Sequence, residues 1–257
     1  MLLSFLVCKG DRISRWSPSP FILVFCLLNA FFICSLSASV AVYVNSATGS
    51  DANSCLSVSD ACQTLSRCVD AIYLSTEKAA VIFVDGIVSD ANVSLNANLD
   101  QFSLIGTSSL AGLVCSSNSS VLIAERPLGA FVLSHLSVHN CTNPAVSVPA
   151  VSTVSLSSIV ADSPVFSSVA VQSINISSCL FFGHRQLSPP FIRAFGNQSV
   201  PFVVEIGNTS VYDHYSSRGA LHLQFVSELV LRDVRFVNNT AVPLASLDGQ
   251  DTQCGGA

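Results

Sequence analysis

A short apolar pattern returns along this chain again and again in one register. Apolar residues at i and i+2 are followed by two small or polar residues, then by apolar residues at i+5 and i+7. The clearest copies are Phe131-Val-Leu133-Ser-His-Leu136-Ser-Val138, Val154-Ser-Leu156-Ser-Ser-Ile159-Val-Ala161 and Ile174-Asn-Ile176-Ser-Ser-Cys179-Leu-Phe181. Two more are Val204-Glu-Ile206-Gly-Asn-Thr209-Ser-Val211 and Leu229-Val-Leu231-Arg-Asp-Val234-Arg-Phe236. The equivalent positions are Leu133, Leu156, Ile176, Ile206 and Leu231, and weaker copies at Phe83 and Leu104 extend the series at similar spacing.

Alternation at i and i+2 puts apolar side chains on one face of a strand, and the polar pair marks a bend. A period of about 20–30 residues built of strand and turn is the signature of a solenoid, in which coils that are unstable alone bury a shared apolar column by stacking. A β-sandwich also yields short alternating strands, but nothing in it demands that one register return five times. The expected fold is therefore all-β, a solenoid of stacked strand-and-turn coils occupying 81–257. A segment at 42–80 precedes it, with the strand Ala41-Val-Tyr-Val44 and a helix whose apolar face is Leu65, Val69 and Ile72. Ser59 or Asp60 is the expected N-cap.

The N-terminal segment, 1–41, reads differently. Lys9, Arg12 and Arg15 stand against one acid, Asp11, and are followed by the apolar run Phe21–Cys34 and by small residues. Basic, apolar, then small is the order of a secretory signal, with Ser39-Val-Ala41 as the cleavage pattern and Ala38 as a second candidate. An uncleaved anchor is the alternative, since Phe21–Val44 as a helix spans about 36 Å. Either reading puts the body outside the cytosol, secreted or at the cell surface, with membrane contact only through this segment.

An oxidising compartment gives meaning to two other features. Seven Asn-x-Ser/Thr sequons occur, at Asn92, Asn118, Asn140, Asn175, Asn197, Asn208 and Asn238. The body holds seven cysteines, Cys55, Cys62, Cys68, Cys115, Cys141, Cys179 and Cys254. Some should pair, and the odd number leaves one over. Cys55 and Cys62 flank a short loop and are the expected disulfide. Cys179 falls on an inward position and reads as a small apolar side chain. With no Cys-x-x-Cys pair, zinc is not expected, nor is any cofactor.

Charge removes another class. With 11 basic and 16 acidic residues, a net charge of −5 and only two lysines, the chain has no basic run able to neutralise phosphates, so nucleic acid is not a partner.

The opening Tyr43-Val-Asn-Ser-Ala-Thr-Gly49-Ser-Asp51, Cys55, then Ala61-Cys62-Gln-Thr64-Leu65, resembles the start of polymorphic outer-membrane-protein-like and related surface proteins with the right-handed, pectin-lyase-like β-helix. The resemblance covers about residues 41–245. It implies a right-handed helix, a helical cap on the first coil, and either a non-catalytic surface module or a polysaccharide-active lyase or hydrolase.

An enzyme of that kind needs acids clustered on adjacent coils. One outward column reads His135, Ser158, Ser178, Asn208, Asp233, and its neighbour Ser134, Ser157, Ser177, Gly207, Arg232. The turn column reads Asn140, Ser163, Gly183, Asp213, Asn238. None places two carboxylates on successive coils. Asp213-His214, His184-Arg185 and Arg232-Asp233 remain as polar pairs, and adjacent strand residues point to opposite faces. Asp85-Gly86 and Asp90 read as turns. No catalytic residues are assigned. The expectation is a secreted or cell-surface glycoprotein module for adhesion, display or carbohydrate contact, with carbohydrate or other surface proteins as partners and the polysaccharide-active enzyme as the alternative. The chain carries no recognisable C-terminal cap, and a longer solenoid is expected to continue it.

Overall fold

Each copy of the apolar pattern is two short strands joined by a bend, and a third strand precedes them. The computed structural model describes residues 39–116, 119–183, 188–197, 199–216 and 218–241. The apolar segment expected to direct secretion, residue Asn118, the pair His184-Arg185 and Cys254 lie outside the described residues. Strands dominate, and all the strand pairings among the described residues are parallel.

The first sheet runs through Ser39–Asn45, Ala79–Asp85, Gln101–Gly106, Leu128–Ser134, Val151–Ser157, the second half of the long strand Phe166–Ser177, Val203–Gly207 and Glu228–Arg232. Among the described residues the second sheet has seven strands, including Ser137–His139, Val160–Ala161, Leu180–Phe182, Ser210–Tyr212 and Arg235–Val237. A third set, including Leu122–Ala124, Val146–Val148, the first half of Phe166–Ser177, Ile192–Gly196 and Leu221–Gln224, joins the first sheet through that long strand. Each pass of the chain thus visits the third set, the first sheet and the second sheet in turn.

The registers match the repeat. Leu104, Leu133, Leu156, Ile176 and Ile206 are neighbours in the first sheet and are at most 2% exposed. Val138, Ala161, Phe181 and Val211 line the second in the same way. Phe102, Phe131 and Phe166 form an interior aromatic ladder with centroids 6.2 and 5.5 Å apart. Burying each such Leu, Ile or Phe stabilises by about 1.5–3 kcal/mol. Cys179 takes the inward place of Leu136 and Ile159 as a buried free thiol. Thr209 takes the same place one pass on, with its hydroxyl donating to the Gly207 carbonyl. On the last described pass Leu229, Leu231 and Phe236 keep the inward register yet are 52%, 50% and 40% exposed, because the strands carrying them are the edges of their sheets.

The polar pair at the bend has a backbone cause. His135, Ser158, Ser178, Asn208 and Asp233 all adopt positive φ, between 47° and 56°. The column read from sequence as a solvated outward face is thus also the left-handed corner between two sheets. Its N–H groups form a ladder, with His135 donating to the Ser157 carbonyl, Ser158 to Ser177, Ser178 to Gly207 and Asn208 to Arg232. Asn140, Asp213 and Asn238 make a second corner of the same kind, whereas Ser163 in that column is buried.

The opening motif folds around one helix, Leu65–Tyr73. Its buried face is Leu65, Cys68, Val69, Ala71 and Ile72. The N-cap is Thr64, whose hydroxyl accepts from the Arg67 N–H, rather than Ser59 or Asp60. Those two residues belong to a separate short helical turn, Val58–Asp60. Asp51 accepts from the N–H groups of Gln63 and Thr64 and from the Thr64 hydroxyl, each at 3.0 Å. Asp90 accepts from the N–H groups of Leu65 and Ser66, so two carboxylates sit at the positive end of the helix dipole. Gly49 is required by close approach, because a Cβ there would lie 2.2 Å from the Cys62 carbonyl oxygen. Tyr43 and Asn45 hydrogen-bond to Cys55 and Cys62, which closes the outer edge of the first strand.

Candidate ligand-contact face

On the second sheet the residue after the last apolar position of each repeat points outward. In register these are His139, Asp162, Phe182 and Tyr212. Parallel neighbours are spaced by about 4.8 Å, so the column extends over about 14 Å.

His139 Nδ1 lies 2.8 Å from Asp162 Oδ2, and the two side chains are 38% and 30% exposed. A carboxylate only accepts, so Nδ1 carries the proton and Nε2 of the neutral ring is an acceptor. Asp162 also accepts from the Ser163 hydroxyl. Burial on its own raises the Asp162 pKa; the bonds from Ser163 and His139 more than reverse that and hold it below the usual carboxylate value. Two passes on, the rings of Phe182 and Tyr212 stack with centroids 5.9 Å apart, and Phe182 is 42% exposed. The strip thus sets a polar acceptor pair beside an exposed aromatic surface.

The asparagines of six of the seven sequons lie among the described residues. Asn92, Asn140, Asn175, Asn197, Asn208 and Asn238 are all exposed. Asn92, Asn140, Asn208 and Asn238 have positive φ, a conformation Asn tolerates, so turn geometry alone accounts for asparagine there. Asn197 closes a local turn by accepting from the Ser199 N–H. Asn175 sits in mid-strand on the outward side of the first sheet, where asparagine is a poor strand former.

Cys55 and Cys62 are joined as expected, and Cys115–Cys141 forms a second bridge between successive passes, directly after His139 and Asn140. Cys68 approaches the first bridge so that three sulfurs lie within 4.8 Å of one another, without any Cys-x-x-Cys spacing. Two of them are bonded to each other, and burial, with Asp51 and Asp90 nearby, pushes the Cys68 pKa up to about 12.

The other polar pairs separate. Asp213 is exposed at its corner, whereas His214 turns inward, 2% exposed, with its ring 4.7 Å from that of Phe191. Neither His214 ring nitrogen makes a hydrogen bond of good geometry among the described residues. Burial lowers its pKa, and the nearby Gly219 backbone offsets only part of that. Arg232 and Asp233 are both exposed on the last pass. Asp85 accepts from the side-chain amide of Asn45 at 3.0 Å, and Asp90 is a helix cap. Sequence reading missed His139 and Asp162 because it followed the corner columns. The signal was one position further along the same register.

No protein-family model, curated protein or solved structure matches this chain. Among the described residues no helix is long and apolar enough to cross a membrane.

Proposed function

We propose that this chain is a right-handed parallel β-helix, a secreted or cell-surface glycoprotein module that contacts carbohydrate through the outward face of its second sheet. The observation that carries the reading is the column His139, Asp162, Phe182, Tyr212. An acceptor pair and an aromatic platform stand in line on a face whose repeat suits an extended ligand. Aromatic rings offer an apolar surface to the ring faces of a saccharide, and the His–Asp pair takes hydroxyl protons. Stacked parallel passes, two disulfides and exposed sequons agree with an extracellular module of this kind.

The test expresses the full chain in eukaryotic cells, compares its gel mobility in medium and membranes before and after N-glycan removal, and screens it on immobilised oligosaccharides. Binding that weakens about tenfold in Phe182→Ala or Asp162→Asn, equivalent to about 1.4 kcal/mol, supports the reading. Binding indifferent to both substitutions refutes the site, and an unshifted cytosolic chain refutes the compartment. The same His139–Asp162 pair favours the polysaccharide-active enzyme as a second reading. Its mark is release of soluble fragments from a polysaccharide, lost in Asp162→Asn.

A further inference from the structure

The third set of strands carries a different outward patch. Arg193 on Ile192–Gly196 and His222 on Leu221–Gln224 are register partners, as are Phe195 and Gln224. The Arg193 guanidinium carbon lies 5.0 Å from the centre of the Phe195 ring. The same ring meets His222 edge-on at 5.4 Å, and Gln224 Nε2 donates to His222 Nε2 across 3.0 Å. That bond puts the proton of the neutral imidazole on Nδ1, which is buried and has no hydrogen-bond partner among the described residues. Burial lowers the His222 pKa, and Arg218 and Arg193 lower it further, so both cations act on one ring.

Among the described residues neither arginine lies within ion-pair distance of a carboxylate. The surroundings make this notable in an acidic chain. Residues 42–184 hold three basic residues against nine acidic ones, whereas 185–241 hold five arginines against four acids. The Phe195 ring under the Arg193 guanidinium favours one placement of that side chain, which lowers the conformational cost when an anion arrives. Guanidinium groups suit oxyanions because their donors form a planar fork.

We infer that Arg193 and Gln224, on either side of His222, bind an oxyanion, sulfate or carboxylate, carried on the saccharide that the module contacts. The carrier rests on the function proposed above; the anion site does not. It is a second contact on a separate set of strands, and it selects acidic from neutral saccharides.

The test titrates sodium sulfate into the full-length protein at constant ionic strength, with chloride exchanged for sulfate, and follows the His222 imidazole by NMR. Saturable binding is expected, together with a rise in the His222 titration midpoint, since an adjacent anion favours the charged ring. Arg193→Gln weakens sulfate binding at least tenfold and Arg193→Lys less, while Phe182→Ala leaves it unchanged and thermal melts stay close to the parent. A response no larger than that to chloride, or one unaltered in Arg193→Gln, overturns the inference. A second arm compares sulfated, carboxylated and neutral forms of one oligosaccharide. Preference for either acidic form, lost in Arg193→Gln, supports the site and tells sulfate from carboxylate. Sulfate binding with no saccharide binding removes the carbohydrate function and leaves the anion site standing. Saccharide binding that falls in Phe182→Ala and is indifferent to Arg193→Gln does the reverse.

Discussion

Two adjacent serines should respond to glycine with opposite signs. Ser158 occupies the left-handed corner at φ 54°, while Ser157 before it ends a strand with ordinary backbone. An L-residue held in the left-handed region costs about 1–2 kcal/mol, which glycine does not incur. Glycine loses about 0.5–1 kcal/mol through its extra freedom in the unfolded chain. Ser158→Gly should therefore stabilise by about 0.5–1 kcal/mol on the difference of these two terms. Ser157→Gly carries only the entropic cost and should destabilise by about 0.5–1 kcal/mol. For a domain of this size each kcal/mol moves the melting temperature by about 2–4 °C, so the two variants should lie about 1–4 °C above and below the parent. Thermal melts followed by circular dichroism, with urea midpoints as a second measure, resolve such a split. If both variants shift in the same direction, the corner geometry and the register that places Ser158 in it are wrong.

Phe131→Ala removes the middle rung of the Phe102–Phe131–Phe166 ladder and should cost about 3–5 kcal/mol, whereas Phe182→Ala on the open face should cost about 1 kcal/mol or less; urea midpoints of the two separate core from surface. His214 has its pKa lowered from 6.5 in the fold, so the unfolded chain binds its proton first. Its contribution is complete above about pH 6.5 and declines as the pH falls toward the folded value, a decline that should flatten in His214→Leu when melting temperature is plotted against pH. Gly49→Ala drives a Cβ against the Cys62 carbonyl and should lower stability and slow closure of the Cys55–Cys62 bridge, read by mass spectrometry of the alkylated protein. Ser39, Val40 and Ala41 pair with Ala79, Ala80 and Val81, so if the chain is secreted as proposed, N-terminal sequencing of it should begin at or before Ser39 rather than at Val42.

The repeat was legible because alternation and a fixed register are local properties. Leu133, Leu156, Ile176 and Ile206 could be aligned from sequence and are neighbours in space for that reason. The helix face Leu65, Val69, Ile72 was legible on the same ground. Its N-cap was misplaced because Ser59 and Asp60 offer the same cap chemistry as Thr64. What favours Thr64 is help from Asp51 and Asp90, both of which reach the helix start from distant parts of the chain.

By itself, then, the sequence determined the period, the inward side chains and the bend positions, all of which follow from nearest-neighbour geometry along a strand. Only the tertiary structure decided what stacks outside the core. Outward positions carry no hydrophobic period, so although the register aligns His139 with Asp162 and Phe182 with Tyr212, the structure alone shows that these side chains touch and that Arg193 comes beside His222. Those meetings depend on loop lengths between passes, which set how one strand registers against the next, and a shift of one residue would turn each of these side chains inward.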